Sequence, residues 1–301
     1  MSPVFLMQGP VQSCDLLNLS TYLYVVYERS FMSVATYALG SAPRELSRLS
    51  LQAQILKPVT ERLLRQVGIR EGMRVLDLGC GPGDVSLLAA DLVGPMGHVV
   101  GIDQSAEAIE RARERGRESD FQIEFQTVRV EDFSSAEPFD AVIGRFVLIH
   151  QASPVDFLRA ARRHVRPGGV IAFHEADGTR GFHSAPPCPL FNRMSELCQA
   201  AFVAGFASYD VARRMAETFQ NAGLPYPGLL GEVTVGGGPN SLLYAWLAES
   251  MRSLAPLLIK LGETTAEELA LDTLEERLRA EAVARQSQLE APIQICAWAR
   301  V

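Results

Sequence analysis

The segment Val75-Leu76-Asp77-Leu78-Gly79-Cys80-Gly81-Pro82-Gly83-Asp84 decides the fold: an apolar run, an acidic residue within it, a glycine-dense turn and a helix start. Glycines at alternating positions let the main chain take φ values that side chains obstruct, and let a ligand approach the backbone. About twenty residues beyond Gly83, Asp103 closes the run Val99-Val100-Gly101-Ile102-Asp103, where a carboxylate can accept hydrogen bonds from both ribose hydroxyls of a nucleoside. Nicotinamide dehydrogenases also place a glycine loop between strand and helix. Their G-x-G-x-x-G pattern wants glycine where this chain has Asp84, and a carboxylate at a helix N-terminus repels pyrophosphate. Asp77, two residues ahead of Gly79, suits a ligand with a cationic amino-acid end. The bland alternative is a structural strand-to-helix turn with no ligand.

Outward from this segment, short β-branched runs alternate with helical patterns, an order that implies parallel strands joined by right-handed crossovers. The pattern predicts strands at 74–78, 98–102, 122–127, 139–143 and 169–174, with helices at 84–92, 106–118 and 154–165. Arg166-Pro167-Gly168-Gly169 reads as the stop after the last helix. Helical periodicity over 44–67, with a further helical segment over 16–39, predicts an N-terminal lid spanning 1–68. A core follows over 69–176. Residues 177–301 then supply cap insertions and closing strands: helices at 190–205, 209–222, 241–260 and 266–288, a strand at 230–235 and a last one at 292–299. The fold class expected is α/β, a Rossmann-like, seven-stranded, mostly parallel sheet with helices on both faces.

Composition narrows the function. Of 301 residues, 48% are hydrophobic and 21% charged, the balance of a globular protein able to bury a large core. A formal charge of -7 gives no electrostatic footprint for nucleic acid, and the run Arg111 to Arg117 is interleaved with Glu110 and Glu114 as a solvated helix face would be. The five cysteines, Cys14, Cys80, Cys188, Cys198 and Cys296, are odd in number and lack metal-site spacing, so a cytoplasmic location is expected and no metal site. The apolar stretch 16–39 is interrupted by Glu28 and Arg29 and has no signal-peptide flanks, so no membrane span is expected.

The block from Val75 to Asp84 resembles the first motif of class I S-adenosylmethionine-dependent methyltransferases, and Gly101-Ile102-Asp103 resembles their second. Glu131-Asp132-Phe133 is similar to the segment beside the adenine in that family. Phe139-Asp140-Ala141-Val142 with Phe146 to His150 is similar to its fourth strand and loop, and Arg166-Pro167-Gly168-Gly169-Val170 to its turn into the fifth. The resemblance covers 43–176 and is strongest to ubiquinone/menaquinone-biosynthesis-type methyltransferases and their natural-product relatives. It implies S-adenosylmethionine as cofactor, held by Gln52, Asp77, Gly79, Cys80, Gly81, Gly83, Asp103, Gln104, Val130, Glu131 and Arg145. One departure stands out: relatives often carry Asp where this chain has Arg129, which leaves the adenine to Val130 main chain and Glu131.

Methyl transfer from a sulfonium needs alignment and exclusion of water, so a cap is expected, built from segments that carry Tyr22, Tyr27, Phe31, Tyr37, Phe182, Phe191, Phe202 and Phe206. Each of these aromatics is individually as well explained by core packing. Two residues are candidates for a general base: His150, after the fourth strand, and Glu175, at the end of the fifth. His174 and Glu175 are adjacent in a strand, so they face opposite sides. For His150 the rival role is a hydrogen bond to a loop backbone. The function expected is methyl transfer to O, C or N of a small, largely apolar metabolite by a monomer or homodimer that binds neither nucleic acid nor membrane. The alternatives are a methyltransferase-fold enzyme that uses the cofactor as a fixed cation for cyclisation or rearrangement, and a non-enzymatic binding module.

Overall fold

The chain divides into Met1–Tyr37 and Ala38–Val301. The structure, a computed structural model, describes residues 43–301, with side chains from Arg48 onward, so the helical segment expected over 16–39, its aromatics and Cys14 lie outside the described residues.

Strands β1 (Arg74–Leu78), β2 (His98–Asp103), β3 (Ile123–Thr127), β4 (Phe139–Arg145) and β5 (Val165–Ala176) are parallel to one another. A short strand β6 (His183–Ala185), then β7 (Gly228–Glu232), β8 (Val235–Gly237), β9 (Gln288–Glu290) and β10 (Gln294–Arg300) follow. The main sheet has seven strands in the order β3-β2-β1-β4-β5-β10-β7, with β10 antiparallel to both neighbours; β6, β9 and β8 make a second, three-stranded sheet. The sequence expectation of a Rossmann-like, mostly parallel seven-stranded sheet is met.

Helices α1 (Pro43–Gln66), α2 (Asp84–Val93), α3 (Ala106–Arg117) and α4 (Pro154–Arg162) flank the sheet. Caps fix two of them locally: Ser105 Oγ accepts from Ala108 N at 3.2 Å, and Ser153 Oγ from Asp156 N at 3.2 Å, with Pro154 opening α4. The alternation of β5 divides the core. Ile171 and Phe173 pack with α4 residues Phe157, Leu158 and Ala161, whereas Val170 and Ala172 pack with Val59, Leu63 and Leu64 of α1 and Val85 and Ala89 of α2.

Beyond β5, α5 (Pro189–Gly205), α6 (Met215–Asn221), α7 (Leu243–Leu261), α8 (Ala266–Leu269) and α9 (Leu274–Ala284) complete the chain. Several boundaries differ from the sequence reading, for identifiable reasons. The helix expected over 209–222 is a 3-10 turn, Val211–Arg214, followed by α6. That expected over 266–288 breaks where Ala270 takes φ 41 and turns into β9 where Gln286 takes φ 53. The strand expected over 230–235 is two strands in two sheets. Strand β5 begins at Val165 rather than Gly169. Arg166-Pro167-Gly168 is accommodated by an irregularity: Phe139 pairs with Val165, but Ala141 pairs with Val170.

Phe173 is fully buried, edge-on to Phe157 at 6.2 Å and to Phe219 at 6.5 Å, and so ties β5 to α4 and α6. Phe173→Ala is expected to destabilise the fold by about 3 to 5 kcal/mol, measured by chemical denaturation.

Candidate functional site

The chain winds from β1 to β3 on one side of the sheet and from β4 to β5 on the other, so the order reverses between β1 and β4. A ligand crevice opens outside the carboxyl ends of strands at such a reversal. The turn after β1 is fitted to it. Gly79 has φ 65, and a Cβ there would lie 2.7 Å from Val147 Cγ2 of the loop after β4. Gly81, at φ 53, would present a Cβ to open space. The first glycine is demanded by packing; the second leaves a bare main chain facing a void.

Asp103 accepts from Gly81 N at 3.0 Å through Oδ2 and from Ser105 N at 2.8 Å through Oδ1. Its carboxylate is thereby held between the glycine turn and the start of α3. Gln104 beside it is exposed. Cys80 is buried, and burial followed by the charge of Asp77 pushes its thiol well above the usual range, so it is a packed, inert group. Gly83 opens α2 with φ 86. Asp84 is engaged by Arg115 at 2.8 Å, and Arg115 also donates to Pro82 O at 2.7 Å, which clips α3 onto the turn.

Asp77 is fully buried. Its Oδ2 accepts from Ser86 Oγ at 2.6 Å while Oδ1 has no partner, and burial raises its pKa to about 7 against that hydrogen bond. Arg145, at the end of β4, donates to Thr60 Oγ1 at 3.3 Å. Burial lowers its pKa, opposed by the charges of Asp84 and Asp77, which act on it without a direct hydrogen bond. Beyond β3, Val130 is buried, and Glu131 is exposed with its carboxylate 3.4 Å from Arg129. Gln52, on α1, is buried and accepts from Arg48 at 2.9 Å.

His150 closes a 3-10 turn, Leu148–His150, and its ring lies 5.1 Å from that of Phe206. Surrounding protein, and secondarily Arg48, lower its pKa to about 4. Arg145 is half-buried and His150 is exposed, both at the carboxyl edge of the sheet.

His174 and Glu175 face opposite sides of the sheet, as strand alternation requires. His174 is fully buried, with Nδ1 3.1 Å from Thr60 Oγ1 and Nε2 3.0 Å from Gln294 Oε1. Because Gln294 Nε2 donates to Pro292 O at 2.7 Å, its Oε1 is an acceptor and His174 donates from Nε2. Glu175 is also fully buried; Oε1 accepts from Val147 N at 2.9 Å and Leu148 N at 2.7 Å. Burial raises its pKa to about 8 against these bonds.

Thr60, Ser86 and Gln294 were missed by sequence reasoning. Nothing local distinguishes a helical threonine or a strand glutamine that meets its partner more than a hundred positions away. The cap aromatics divide. Phe182 packs edge-on against Phe191 at 6.0 Å and Trp246 at 5.3 Å within the core, whereas Phe202 stacks on Phe206 at 4.7 Å and continues the row to His150.

A model of a methyltransferase domain family matches residues 69–221, just over half of the chain. The chain is 37% identical over 101 residues to a ubiquinone biosynthesis O-methyltransferase of Roseobacter denitrificans, covering 33% of this chain and 40% of that protein. It is 34% identical over 125 residues to a trans-aconitate 2-methyltransferase of an Azoarcus species, covering 40% of this chain and 47% of that protein. These matches span less than half the length of either relative. A putative methyltransferase of Bacillus halodurans has the same fold, with a TM-score of 0.51 at 15% identity over 80% of this chain and 97% of that one.

The buried histidine sets a pH dependence. Burial, and secondarily Arg145, lower the pKa of His174 from 6.5 to about 3, so the neutral form is favoured by folding. Its contribution to stability is complete above 6.5 and is lost as pH falls through the window toward 3. His174→Gln is expected to flatten the fall in melting temperature between pH 7 and pH 4; an unchanged slope would show that the imidazole titrates alike in the folded and unfolded states.

Proposed function

The chain belongs to the methyltransferase domain family, and on that premise we propose that it transfers the methyl group of S-adenosylmethionine to an oxygen, carbon or nitrogen of a small, largely apolar molecule. The observation that carries the reading is the turn after β1, where Gly81 leaves its main chain facing open space beside the Asp103 carboxylate, with the half-buried Arg145 at the end of β4. The carboxylate of a zwitterionic amino-acid end is assigned to Arg145, and its ammonium to the side of Asp77. The similarity to methyltransferases of ubiquinone biosynthesis and of trans-aconitate supports the same reaction class.

The remaining groups fit a nucleoside. Asp103 has lone pairs left for ribose hydroxyls after it has taken Gly81 N and Ser105 N, and Gly81 offers main chain without a Cβ in the way. Gln104, Val130 and Glu131 are assigned the rim around the base, and Gln52 the covering side from α1. Asp84 already has Arg115 as its partner, so the α2 N-terminus carries a fixed carboxylate and disfavours a pyrophosphate.

When bound, the cofactor would supply an electrophilic methyl on a sulfonium. The chain's contribution is to hold acceptor and methyl in line and keep water out, an effect worth several powers of ten in rate. His150 borders that space as a neutral imidazole. With a pKa of about 4 it is a weak base, so its assigned role is to orient an acceptor oxygen or nitrogen by hydrogen bonding. The stacked Phe202 and Phe206 supply the apolar wall beside it.

Two outcomes test this reading. Calorimetric titration should show binding of S-adenosylmethionine and S-adenosylhomocysteine but not NAD, and Asp103→Ala should weaken binding by about 1.5 to 3 kcal/mol; binding of NAD alone would overturn it. With an acceptor identified by S-adenosylhomocysteine release, His150→Ala should lower kcat by about 100-fold while cofactor Kd stays within a few fold. His150→Gln should retain more of the activity. Unchanged kcat with a lowered melting temperature would make the histidine structural.

A further inference from the structure

Between β4 and α4 the main chain is held from the end of β5 at successive residues. Phe146 N donates to the carbonyl of His174 at 2.9 Å, and Val147 N and Leu148 N then both donate to Oε1 of Glu175, with the Ile149 amide also acting on that carboxyl. Phe146 itself takes φ 55, a left-handed conformation that a residue with a side chain adopts only when its surroundings enforce it. The far end is tied too: Gln151 Nε2 donates to Val147 O at 2.9 Å and Ser208 N to Ile149 O at 3.4 Å. The 3-10 turn of this loop ends on His150.

Glu175 is thus placed at the N-terminal end of that turn, where main-chain N–H groups point outward and a carboxyl oxygen is the complementary acceptor. Its other oxygen, Oε2, is buried without a hydrogen-bond partner, and the residue has no accessible surface. A proton carrier needs an oxygen open to the reacting groups, and neither oxygen of Glu175 offers one. We propose that Glu175 is a positioning residue: its buried carboxyl group gathers the amides of the loop after β4, enforces the left-handed turn at Phe146 and thereby fixes His150 at the carboxyl edge of the sheet. What His150 does there rests on the methyl-transfer reading; the anchor itself does not.

The test compares Glu175→Gln and Glu175→Ala with the parent chain by three measurements. These are hydrogen exchange at amides 147–149, NMR titration of the His150 imidazole (assigned with His150→Gln), and calorimetric Kd for S-adenosylhomocysteine. In Glu175→Ala, exchange at 147–149 should be at least about tenfold faster, and the His150 pKa should rise from about 4 toward 6.5. The Kd should stay within about threefold. Glu175→Gln keeps one acceptor oxygen and should fall between the two. If Glu175→Ala does not fold, Glu175→Gln decides by the same readouts. Faster exchange confined to the loop, with a raised His150 pKa, supports the anchor. Unchanged exchange and titration, or exchange accelerated uniformly across the sheet, overturns it. A parent chain that fails to bind S-adenosylhomocysteine would sink the methyl-transfer reading while exchange and titration still decide the role of Glu175.

Discussion

The reversal of strand order between β1 and β4 is the constraint on which the rest of the site depends. Two neighbouring parallel strands whose chains depart in opposite directions leave a gap above their carboxyl ends, and the turns that border it must approach closely without filling it. Gly79 and Val147 show the first demand, since any side chain at 79 would meet the valine. Gly81 shows the second, with nothing in the space above it. The same turn carries Asp77 down into the core and lends Gly81 N to Asp103, so β1, β2 and the loop after β4 are placed as one unit.

Burial then tunes that unit. Asp77 and Glu175 are pushed up to about 7 and about 8, and His150 and His174 down to about 4 and about 3, so each group is moved toward its neutral form by the same desolvation. Asp77, His174 and Glu175 are the buried members of the set, and fixed polar groups away from water act on their surroundings more strongly than exposed ones. The exposed ion pairs of α3, such as Arg111 with Glu114, are screened and contribute little beyond solubility. Strand β5 couples the two sides of the arrangement: His174 reaches α1 through Thr60, and Glu175 reaches the loop that bears His150.

The cap helices share one core with the sheet and α4. Phe191, Met194, Leu197 and Cys198 of α5 share a core with Tyr244, Leu247 and Met251 of α7 and with Leu274 and Leu278 of α9. Most of their aromatic residues are therefore occupied with packing. Phe202 and Phe206, at the end of α5, stack on each other and lie beside His150.

How much was legible follows from the range of each signal. The glycine turn, Asp103 and the alternation from β1 to β5 are local patterns, and a period of two or of 3.6 residues survives in the sequence because each strand or helix must bury one face. Adjacent placement of His174 and Glu175 was enough to say they face apart. The roles were not legible. Whether Glu175 meets solvent or three amides depends on a loop some twenty-eight positions upstream, as the hydrogen bond from Val147 N records. Likewise the partners of His174 come from α1 and β10, at separations of 114 and 120 residues. Even the long helix expected over 266–288 was a correct local propensity, interrupted only because the chain must turn at Ala270 and Gln286 to reach β9. The sequence by itself determined which residues could form the sheet, the crevice and its turn. Only the tertiary structure decided which buried polar groups meet, because burial and pairing are properties of the packed chain and not of any segment of it.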